Sequence, residues 1–181
     1  MDGLRVFAAP GSTLGPAERR EILCLCAAAF GASFDALFDL TGPEAVHILG
    51  RLDDGTLASH AVITKRHFII NGRLSLRAAY IDAAATRPGM QGAGRASKIM
   101  RAALAYAKPR FDIAGLSTFI PAFYGRFGFK PWEGPLGLLR DGEAIMTGDV
   151  EGVVMANVLK DGLPLTFKEE LVAGWRPGGG W

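Results

Sequence analysis

The chain lacks the features that mark several protein classes. Its 181 residues include only two cysteines, Cys24 and Cys26. Two residues apart on a predicted helix, their side chains diverge, so we expect reduced core thiols and no disulfide. No apolar run is long enough to cross a bilayer, and residues 1–3 lack the basic start of a signal peptide. We therefore expect a cytoplasmic protein without a membrane partner.

Charge and metal-ligand clusters are also scarce. The net charge is only +2, and no dense run of Lys or Arg appears, so a nucleic-acid partner is not expected. His47, His60 and His67 show neither metal-ligand spacing nor adjacent Cys or acidic clusters, so no metal site is expected. A hydrophobic share of 49% and a charged share of 21% are typical of a globular protein. The length suits a single domain over residues 1–181.

Glycine, in contrast, is abundant, and two of the 24 glycines open the most informative segment. Residues 91–108 read as a glycine-rich turn followed by an amphipathic helix. Its apolar stripe recurs at helical spacing through Ala96, Ile99, Met100, Ala103, Leu104 and Ala107. Such a turn directs unpaired N–H groups and the positive helix end toward one point, which suits a phosphate. The candidate phosphate-binding residues are Gln91, Gly92, Ala93, Gly94, Arg95 and Ala96.

Two common nucleotide-binding motifs do not match this segment. A Walker A loop requires Gly-Lys-Ser/Thr four residues after a glycine, and no such string occurs. A dinucleotide-binding turn requires a third glycine, but Ser97 stands at that position. It also requires an acidic residue at the end of the next strand, whereas Asp112 lies at the start of a predicted strand. Taken alone, the turn is also compatible with a tight loop that merely packs.

The predicted elements describe one α/β domain. Strands are predicted at residues 4–8, 45–52, 56–70, 74–86, 111–116 and, as the final strand, 152–160. Hairpin turns are predicted at residues 53–55 and 71–72, and a turn at 141–142. A first helix has Ser12 or Thr13 as its cap, Pro16 in its first turn and Gly31 past its end. Further predictions are a short helix and loop at 33–42, a short helix carrying Phe123, a surface-wrapping segment at 130–139 and a closing helix at 165–175.

The order of these elements resembles that of the GNAT superfamily of N-acetyltransferases. The pyrophosphate loop of that family, Q/R-x-x-G-x-G/A, is matched by Gln91, Gly94 and Ala96. Its downstream element, F-Y-x-x-x-G-F, is matched by Phe123, Tyr124, Gly128 and Phe129. The resemblance implies a GNAT fold, a mixed central β-sheet flanked by helices, with acetyl-CoA bound between two splayed parallel strands.

The chemistry of acetyl transfer points to two further residues. Asp82 lies among Ile81, Ala83, Ala84 and Ala85 on the predicted cofactor strand, where a carboxylate needs water, a partner or a ligand. We expect it to accept the proton of the amine through a water molecule, and Tyr124 to protonate the leaving thiolate. Backbone N–H groups of this strand can stabilise the developing oxyanion, and Ala84 and Thr86 are the candidate cofactor contacts. Each residue also has a purely structural interpretation. Asp82 would then be an exposed carboxylate or the partner of an arginine, and Tyr124 a tyrosine of the core.

Within this superfamily the chain resembles the aminoglycoside 2′-N-acetyltransferases over most of its length. The matching positions are residues 80–82, 116–117, 131–132, 134–135 and 175–181. The resemblance implies a docked tail in which Trp181 faces the aminoglycoside, and Ser33, Asp35, Asp82 and Ser117 as further acceptor contacts. The acid at the position of Asp82 is a glutamate in that family, and two family aspartates are replaced here by Ser33 and Gly179.

These departures lead to a hypothesis about the acceptor. Charged hydrogen bonds to carboxylates hold the ammonium groups of a multi-amine aminoglycoside. Replacement of the two family aspartates therefore favours a substrate with few amines. Kasugamycin is the leading candidate, and the protein would then have a role in antibiotic resistance. The alternatives are a GNAT enzyme for a polyamine, an amino acid or a protein N-terminus, and a non-catalytic acyl-CoA- or antibiotic-binding module. The family also implies a possible homodimer.

Overall fold

The computed structural model describes residues 3–148, 150–176 and 180–181. The chain forms two compact units, the first with residues 1–64 and 81–106 and the second with residues 65–80 and 107–181. Two long strands, β3 (Leu57–Ile70) and β4 (Leu74–Thr86), contribute residues to both units. Within the part of the chain described, no helix is long and apolar enough to cross a membrane. The prediction of a single domain stays a prediction.

The first unit is built on antiparallel strands. β1 (Arg5–Pro10) pairs with β2 (Val46–Arg51), which pairs in turn with the first half of β3. The hairpin between β2 and β3 turns at residues 53–55, where Gly55 adopts a φ of 87°. Only glycine adopts such a conformation readily, which explains why the Asp-Asp-Gly sequence identified this turn.

Three helices belong to the first unit: α1 (Pro16–Phe30), α2 (Leu37–Thr41) and α3 (Arg95–Ala107). Ile22, Leu25 and Cys26 of α1 are buried, and they pack with buried residues of β2 and β3 in one hydrophobic cluster. On α3, four members of the predicted apolar stripe are fully buried: Ile99, Met100, Ala103 and Ala107. The periodicity therefore placed this helix correctly, and its bounds agree with the prediction.

The second unit is a mixed sheet in which β3 and β4 are joined by six further strands. These are β5 (Ile113–Thr118), β6 (Lys130–Pro131), β7 (Leu136–Arg140), β8 (Glu143–Met146), β9 (Val153–Val158) and β10 (Leu171–Gly174). The strand order is β6-β9-β5-β4-β3-β10-β7-β8. β4 and β5 form the expected parallel pair, with Ala78 opposite Ile113 and Tyr80 opposite Gly115. A short helix, α4 (Pro121–Gly125), follows β5.

An ion pair joins the two strands of this parallel pair. Asp112, just before β5, accepts hydrogen bonds from the backbone N–H and the guanidinium of Arg77 on β4. The hydrogen bond and charge of Arg77 lower the pKa of the Asp112 carboxyl. Arg77 is exposed, whereas Asp112 is buried. Because burial removes water from the Asp112 carboxylate, its charge depends on these hydrogen-bond donors. This pair holds the start of the parallel register.

Two predictions about the C-terminal third are wrong. Residues 165–175 form no helix; they hold β10, which pairs antiparallel with β3 and parallel with β7. Leu171, Val172 and Ala173 are buried on both faces of the sheet. Residues 130–139 were expected to wrap over the surface, but they include β6 and most of β7 within the sheet. β9 is consequently not the final strand. Pairing with distant strands outweighed the local pattern in each case.

Smaller corrections concern α1. Its N-cap is Gly15, whose N–H donates to the carboxylate of Glu18, so neither Ser12 nor Thr13 caps it. Residues 11–13 form a 3₁₀ turn instead, and Thr13 donates its hydroxyl to the carbonyl of Pro10. Gly31 ends the helix as predicted, with a left-handed φ of 68°. Both cysteines are free thiols, but Cys24 is exposed and only Cys26 lies in the core.

Candidate active site

The glycine turn between β4 and α3 is exposed and strongly left-handed. Gly92 and Gly94 adopt φ values of 82° and 75°, and an added Cβ at either would meet no atom within 4 Å. The glycines are therefore required by the backbone conformation and not by crowding. Left-handed residues in such a turn direct successive N–H groups into a concave surface that binds anions. Glycine also leaves that surface open to an approaching phosphate.

The turn leads directly into the N-terminus of α3. The helix begins at Arg95, and the N–H of Lys98 makes its hydrogen bond to the carbonyl of Gly94 at 3.0 Å. Arg95 donates from Nη1 to the carbonyl of Met90 at 2.6 Å, which ties the helix start to the beginning of the turn. Gln91, Gly92, Ala93 and Gly94 are exposed, and Arg95 and Ala96 are half-buried. The six predicted phosphate-binding residues thus lie on the turn and the first two positions of α3, and their contact with a phosphate stays a prediction.

The second half of β4 has an irregular backbone. Ala83 has a φ of 47°, an unusual value for a residue with a side chain and one that costs about 1 to 3 kcal/mol. Asp82, Ala83 and Ala84 are half-buried, whereas Thr86 is buried and shares a hydrogen bond of 2.8 Å with the hydroxyl of Ser59. Predicted site residues Asp82, Ala84 and Thr86 therefore follow one another along the strand. Their contacts with substrate stay predictions.

Sequence reasoning missed the residue that holds this irregular segment. His60 was considered only as a metal ligand, yet its Nδ1 lies 3.1 Å from the carbonyl oxygen of Ala83. His60 is fully buried, and its Nε2 lies 2.9 Å from Nδ1 of His47, which is buried too. The contact between His60 and Ala83 joins residues 23 positions apart, so no local pattern predicts it. A histidine on a buried strand is the only sequence feature that points to it. Over the part of the chain described, no group of three or more His, Cys, Asp or Glu side chains is placed to hold a metal ion.

The predicted acceptor contacts Ser33 and Asp35 lie together in an exposed segment before α2. The hydroxyl of Ser33 donates to the carboxylate of Asp35 at 2.8 Å. Asp39, on α2, lines a cavity of about 340 Å³ with Arg19, Phe38, Gly42 and Pro43. An arginine and an aspartate therefore share this cavity, which reduces its net negative charge.

Tyr124 and Ser117 belong to the second unit. Tyr124 is buried on α4, with its ring 5.0 Å from that of Phe123 and 6.2 Å from that of Phe129, measured between centroids. The motif glycine Gly128 has a φ of 88°, and a Cβ there would press on Asn157, which binds the carbonyl of Phe127. Ser117 is half-buried and donates its hydroxyl to the carbonyl of Glu151.

Trp181 packs within the second unit, and its predicted contact with an acceptor stays a prediction. Its ring centre lies 5.9 Å from that of Phe68 and 5.6 Å from the guanidinium carbon of Arg66. Arg66 also donates hydrogen bonds to the carbonyl oxygens of Gly174 and Gly180, each at 2.6 Å. Leu138 occupies the space where a Cβ at Gly180 would stand. Gly179, one of the two altered acid positions, lies outside the described residues.

The chain contains both a parallel strand pair and a left-handed glycine turn that opens a helix. The chain belongs to the acetyltransferase (GNAT) domain family, whose model matches residues 12–132. The fold and the recognition of the superfamily are thereby confirmed. As a member of this family, the protein is an acyltransferase that takes acetyl-CoA as its acetyl donor.

Individual relatives agree with this assignment. An aminoglycoside 2′-N-acetyltransferase of Mycolicibacterium fortuitum is 28% identical over 152 residues, which cover 79% of this chain and 77% of that protein. The GNAT N-acetyltransferase YhbS of Escherichia coli, solved with CoA, has the same fold, with a TM-score of 0.66, 16% identity and coverage of 93% and 89%. A conserved protein of unknown function from Enterococcus faecalis, described as a probable N-acyltransferase, is 25% identical over 71% of this chain, with a TM-score of 0.60. The chain spans only about a third, 33%, of that last structure.

Proposed function

We propose that this protein is an acetyl-CoA-dependent aminoglycoside 2′-N-acetyltransferase that gives antibiotic resistance, with kasugamycin as its leading acceptor. The observation that carries the proposal is the likeness to the Mycolicibacterium fortuitum aminoglycoside 2′-N-acetyltransferase over 79% of the chain. The glycine turn at the start of α3 supports the acetyl-CoA half, because its N–H groups suit the pyrophosphate. A cytoplasmic location and a homodimer remain parts of the proposal.

The proposed reaction assigns one proton transfer to each of two side chains. The amine nitrogen attacks the thioester carbonyl carbon, and a new C–N bond replaces the C–S bond. Asp82 takes the proton that the ammonium loses, through one water molecule, and Tyr124 gives its phenolic proton to the departing thiolate. The nitrogen loses a second proton as the amide forms, and this proton restores the Tyr124 phenol through solvent. Asp82 is half-buried, so its carboxylate is partly exposed to solvent and the bridging water that this role requires can reach it. The N–H of Ala84 stabilises the negative charge that develops on the carbonyl oxygen.

The proposed acceptor follows from the acidic side chains within and just before α2. Ser33 stands where the related aminoglycoside enzymes have an aspartate, and it already donates its hydroxyl to Asp35. Asp39 lines its cavity together with Arg19, whose charge opposes that of the carboxylate. Few carboxylates in this region are therefore free of a nearby positive charge or hydrogen-bond donor. An acceptor with several ammonium groups needs several such carboxylates, whereas an acceptor with few amines needs fewer. Trp181 and Ser117 complete the proposed acceptor contacts.

Two other functions compete with this one. A GNAT enzyme for another small amine would use the same glycine turn and differ only in its acceptor residues. A non-catalytic acyl-CoA- or antibiotic-binding module is disfavoured, because the chain belongs to an acetyltransferase family.

The test is acetyl-CoA-dependent thiol release with kasugamycin and, separately, with the multi-amine kanamycin B. We expect turnover of kasugamycin and little turnover of kanamycin B. Asp82→Ala should lower kcat by roughly a hundred- to ten-thousand-fold and leave the Kd for acetyl-CoA unchanged. Equal turnover of both antibiotics would contradict the charge argument and keep the enzyme class. No release with either would remove aminoglycosides as acceptors.

A further inference from the structure

A chain of buried polar side chains ends at the irregular segment of β4. His47 on β2 contacts His60 on β3, with 2.9 Å between Nδ1 and Nε2. His60 contacts the carbonyl oxygen of Ala83, with 3.1 Å from Nδ1. Both histidines are 0% exposed. The thiol of Cys26 on α1 lies 3.7 Å from Nδ1 of His60. None of these three side chains has a part in the proposed proton transfers.

The positions of the protons follow from the partners. A carbonyl oxygen only accepts, so Nδ1 of His60 carries a proton and donates it to Ala83. Burial lowers the pKa of His60 to about 3 and that of His47 to about 4, so both rings are neutral. Nε2 of His60 is then a bare acceptor, and Nδ1 of His47 must donate to it. Nε2 of His47 is left as a buried acceptor with no partner among the residues that the structure describes. Each ring thus has one defined tautomer.

The hydrogen bond to Ala83 also fixes the next N–H group. The peptide bond between Ala83 and Ala84 is planar and trans, since no cis peptide occurs in the described chain. In a trans peptide the C=O and N–H bonds point in opposite directions. A carbonyl of Ala83 that points at His60 therefore turns the N–H of Ala84 away from it. Ala83 itself has a left-handed φ of 47°.

A second side chain of β3 holds β4 in the same way. The hydroxyl of Ser59 donates to the carbonyl oxygen of Ala85 at 2.7 Å and contacts the hydroxyl of Thr86 at 2.8 Å. Ala83 and Ala85 pack against the hydrophobic cluster of the first unit. The segment around Ala84 is consequently held on both sides by side chains of one neighbouring strand.

We propose that His60, supported by His47, is a positioning residue that orients the Ala83–Ala84 peptide so that the Ala84 N–H faces the thioester oxygen of acetyl-CoA. The inference rests on the proposed role of Ala84 as an oxyanion donor. His60 itself touches no substrate; it acts through the peptide whose carbonyl it binds. An oxyanion donor contributes only when it is already aimed at the charge that develops, so its orientation affects kcat more than KM.

Two replacements of His60 separate this role from a purely structural one. The amide nitrogen of His60→Asn is attached at the same distance along the side chain as Nδ1, so it keeps the donor to Ala83. The amide group of His60→Gln reaches the position of Nε2 instead, so it keeps the contact with His47 and loses that donor. We expect His60→Gln to lower kcat by roughly 10- to 100-fold, less than the loss of a whole oxyanion donor. His60→Asn should stay within about three-fold of wild type, because its donor remains.

A spectroscopic measurement keeps the test independent of the acceptor. The infrared carbonyl stretch of bound [1-¹³C]acetyl-CoA should lie below that of free acetyl-CoA in wild type and His60→Asn. In His60→Gln it should return toward the free value. If no amine is turned over, the proposed function fails while this measurement still decides the orientation. A wild-type carbonyl frequency in His60→Gln would overturn the proposal, as would equal kcat losses in both variants.

If His60→Gln does not fold, the neighbouring histidine offers the same comparison. His47→Asn keeps a donor toward Nε2 of His60 and so preserves the tautomer that binds Ala83. His47→Leu removes that donor and allows His60 to place its proton on Nε2 instead. We expect a lowered kcat and a carbonyl frequency near the free value only for His47→Leu. Identical behaviour of the two His47 variants would overturn the proposal.

Discussion

Arg66 holds Trp181 in place, although 115 positions separate them in the sequence. Its guanidinium carbon lies 5.6 Å from the centre of the Trp181 ring, and its Nη1 donates to the carbonyl of the preceding Gly180. A second hydrogen bond fixes Gly174, and the guanidinium also lies 4.8 Å from the Tyr80 ring. One buried arginine therefore fixes the position of a residue that the proposed function assigns to the acceptor.

Trp181→Ala should weaken acceptor binding and leave acetyl-CoA binding unchanged. Removal of a docked aromatic contact costs about 1 to 3 kcal/mol, so the KM for the acceptor should rise by roughly 5- to 100-fold. Steady-state kinetics with varied acceptor measure this, and calorimetry measures the Kd for acetyl-CoA. Trp175→Ala is the matched control, since Trp175 is 45% exposed and lies over Arg140. An unchanged acceptor KM in Trp181→Ala would remove Trp181 from the acceptor site.

Tyr124→Phe removes one hydroxyl and keeps the ring that packs against Phe123 and Phe129. We expect kcat to fall by roughly a hundred-fold or more, because the thiolate then leaves without a proton donor. The melting temperature should change little. Tyr106→Phe makes the same chemical change on α3, at a tyrosine with no part in the proposed reaction. A Tyr124→Phe enzyme with wild-type kcat across the pH range would show that the leaving thiolate takes its proton elsewhere.

Gly94→Ala should weaken acetyl-CoA binding through the backbone of the turn. A left-handed φ of 75° is costly for alanine by about 1 kcal/mol, and the new methyl group projects into the open space at the turn. We expect the Kd for acetyl-CoA to rise by roughly ten-fold. Gly142→Ala introduces the same strain, at a φ of 85° in the turn between β7 and β8. If both variants bound acetyl-CoA equally well, the glycine turn would not be the pyrophosphate site.

The histidine pair should make the folded state sensitive to mild acid. The pKa of His47 is lowered to about 4 by burial and the nearby charge of Arg19, and that of His60 to about 3 by burial and the charge of His47. Burial raises the pKa of the adjacent Cys26 thiol to about 12, so that group stays neutral. Unfolded histidines bind protons below about pH 6.5, whereas these folded ones do so only near pH 4 or below. The free energy of unfolding should therefore fall as pH drops from about 6.5 toward 4.

Urea denaturation between pH 7.5 and pH 5 measures this effect. Each buried histidine contributes a slope of up to about 1.4 kcal/mol per pH unit. His60→Leu should have a shallower slope than wild type, because one proton-binding group is gone. His67→Asn, which removes an exposed histidine and leaves the buried pair intact, is the matched control. Parallel curves for wild type and His60→Leu would show that the pair does not govern acid stability.

Local sequence patterns predicted the helix and the turns that are determined by interactions between residues close together in the chain. The apolar spacing of 96–107 identified α3, because one face of a helix repeats about every 3.6 residues. Asn71 and Gly72 marked a hairpin, and both adopt left-handed φ values, 49° and 64°. Gly92 and Gly94 predicted a turn that only glycine adopts without strain. The family and the donor substrate followed from that turn and from the motif around Tyr124.

The sequence alone determined the turn and the helix, because each depends on residues close together in the chain. Tertiary structure decided the rest. Residues 171–174 became a strand because Ile70 and Leu136 lie beside Leu171, and no local pattern records those neighbours. The hydrogen bond from His60 to Ala83 likewise exists only once β3 and β4 lie side by side. A backbone carbonyl carries no sequence signature, so the residue that binds it is identified only from the folded chain.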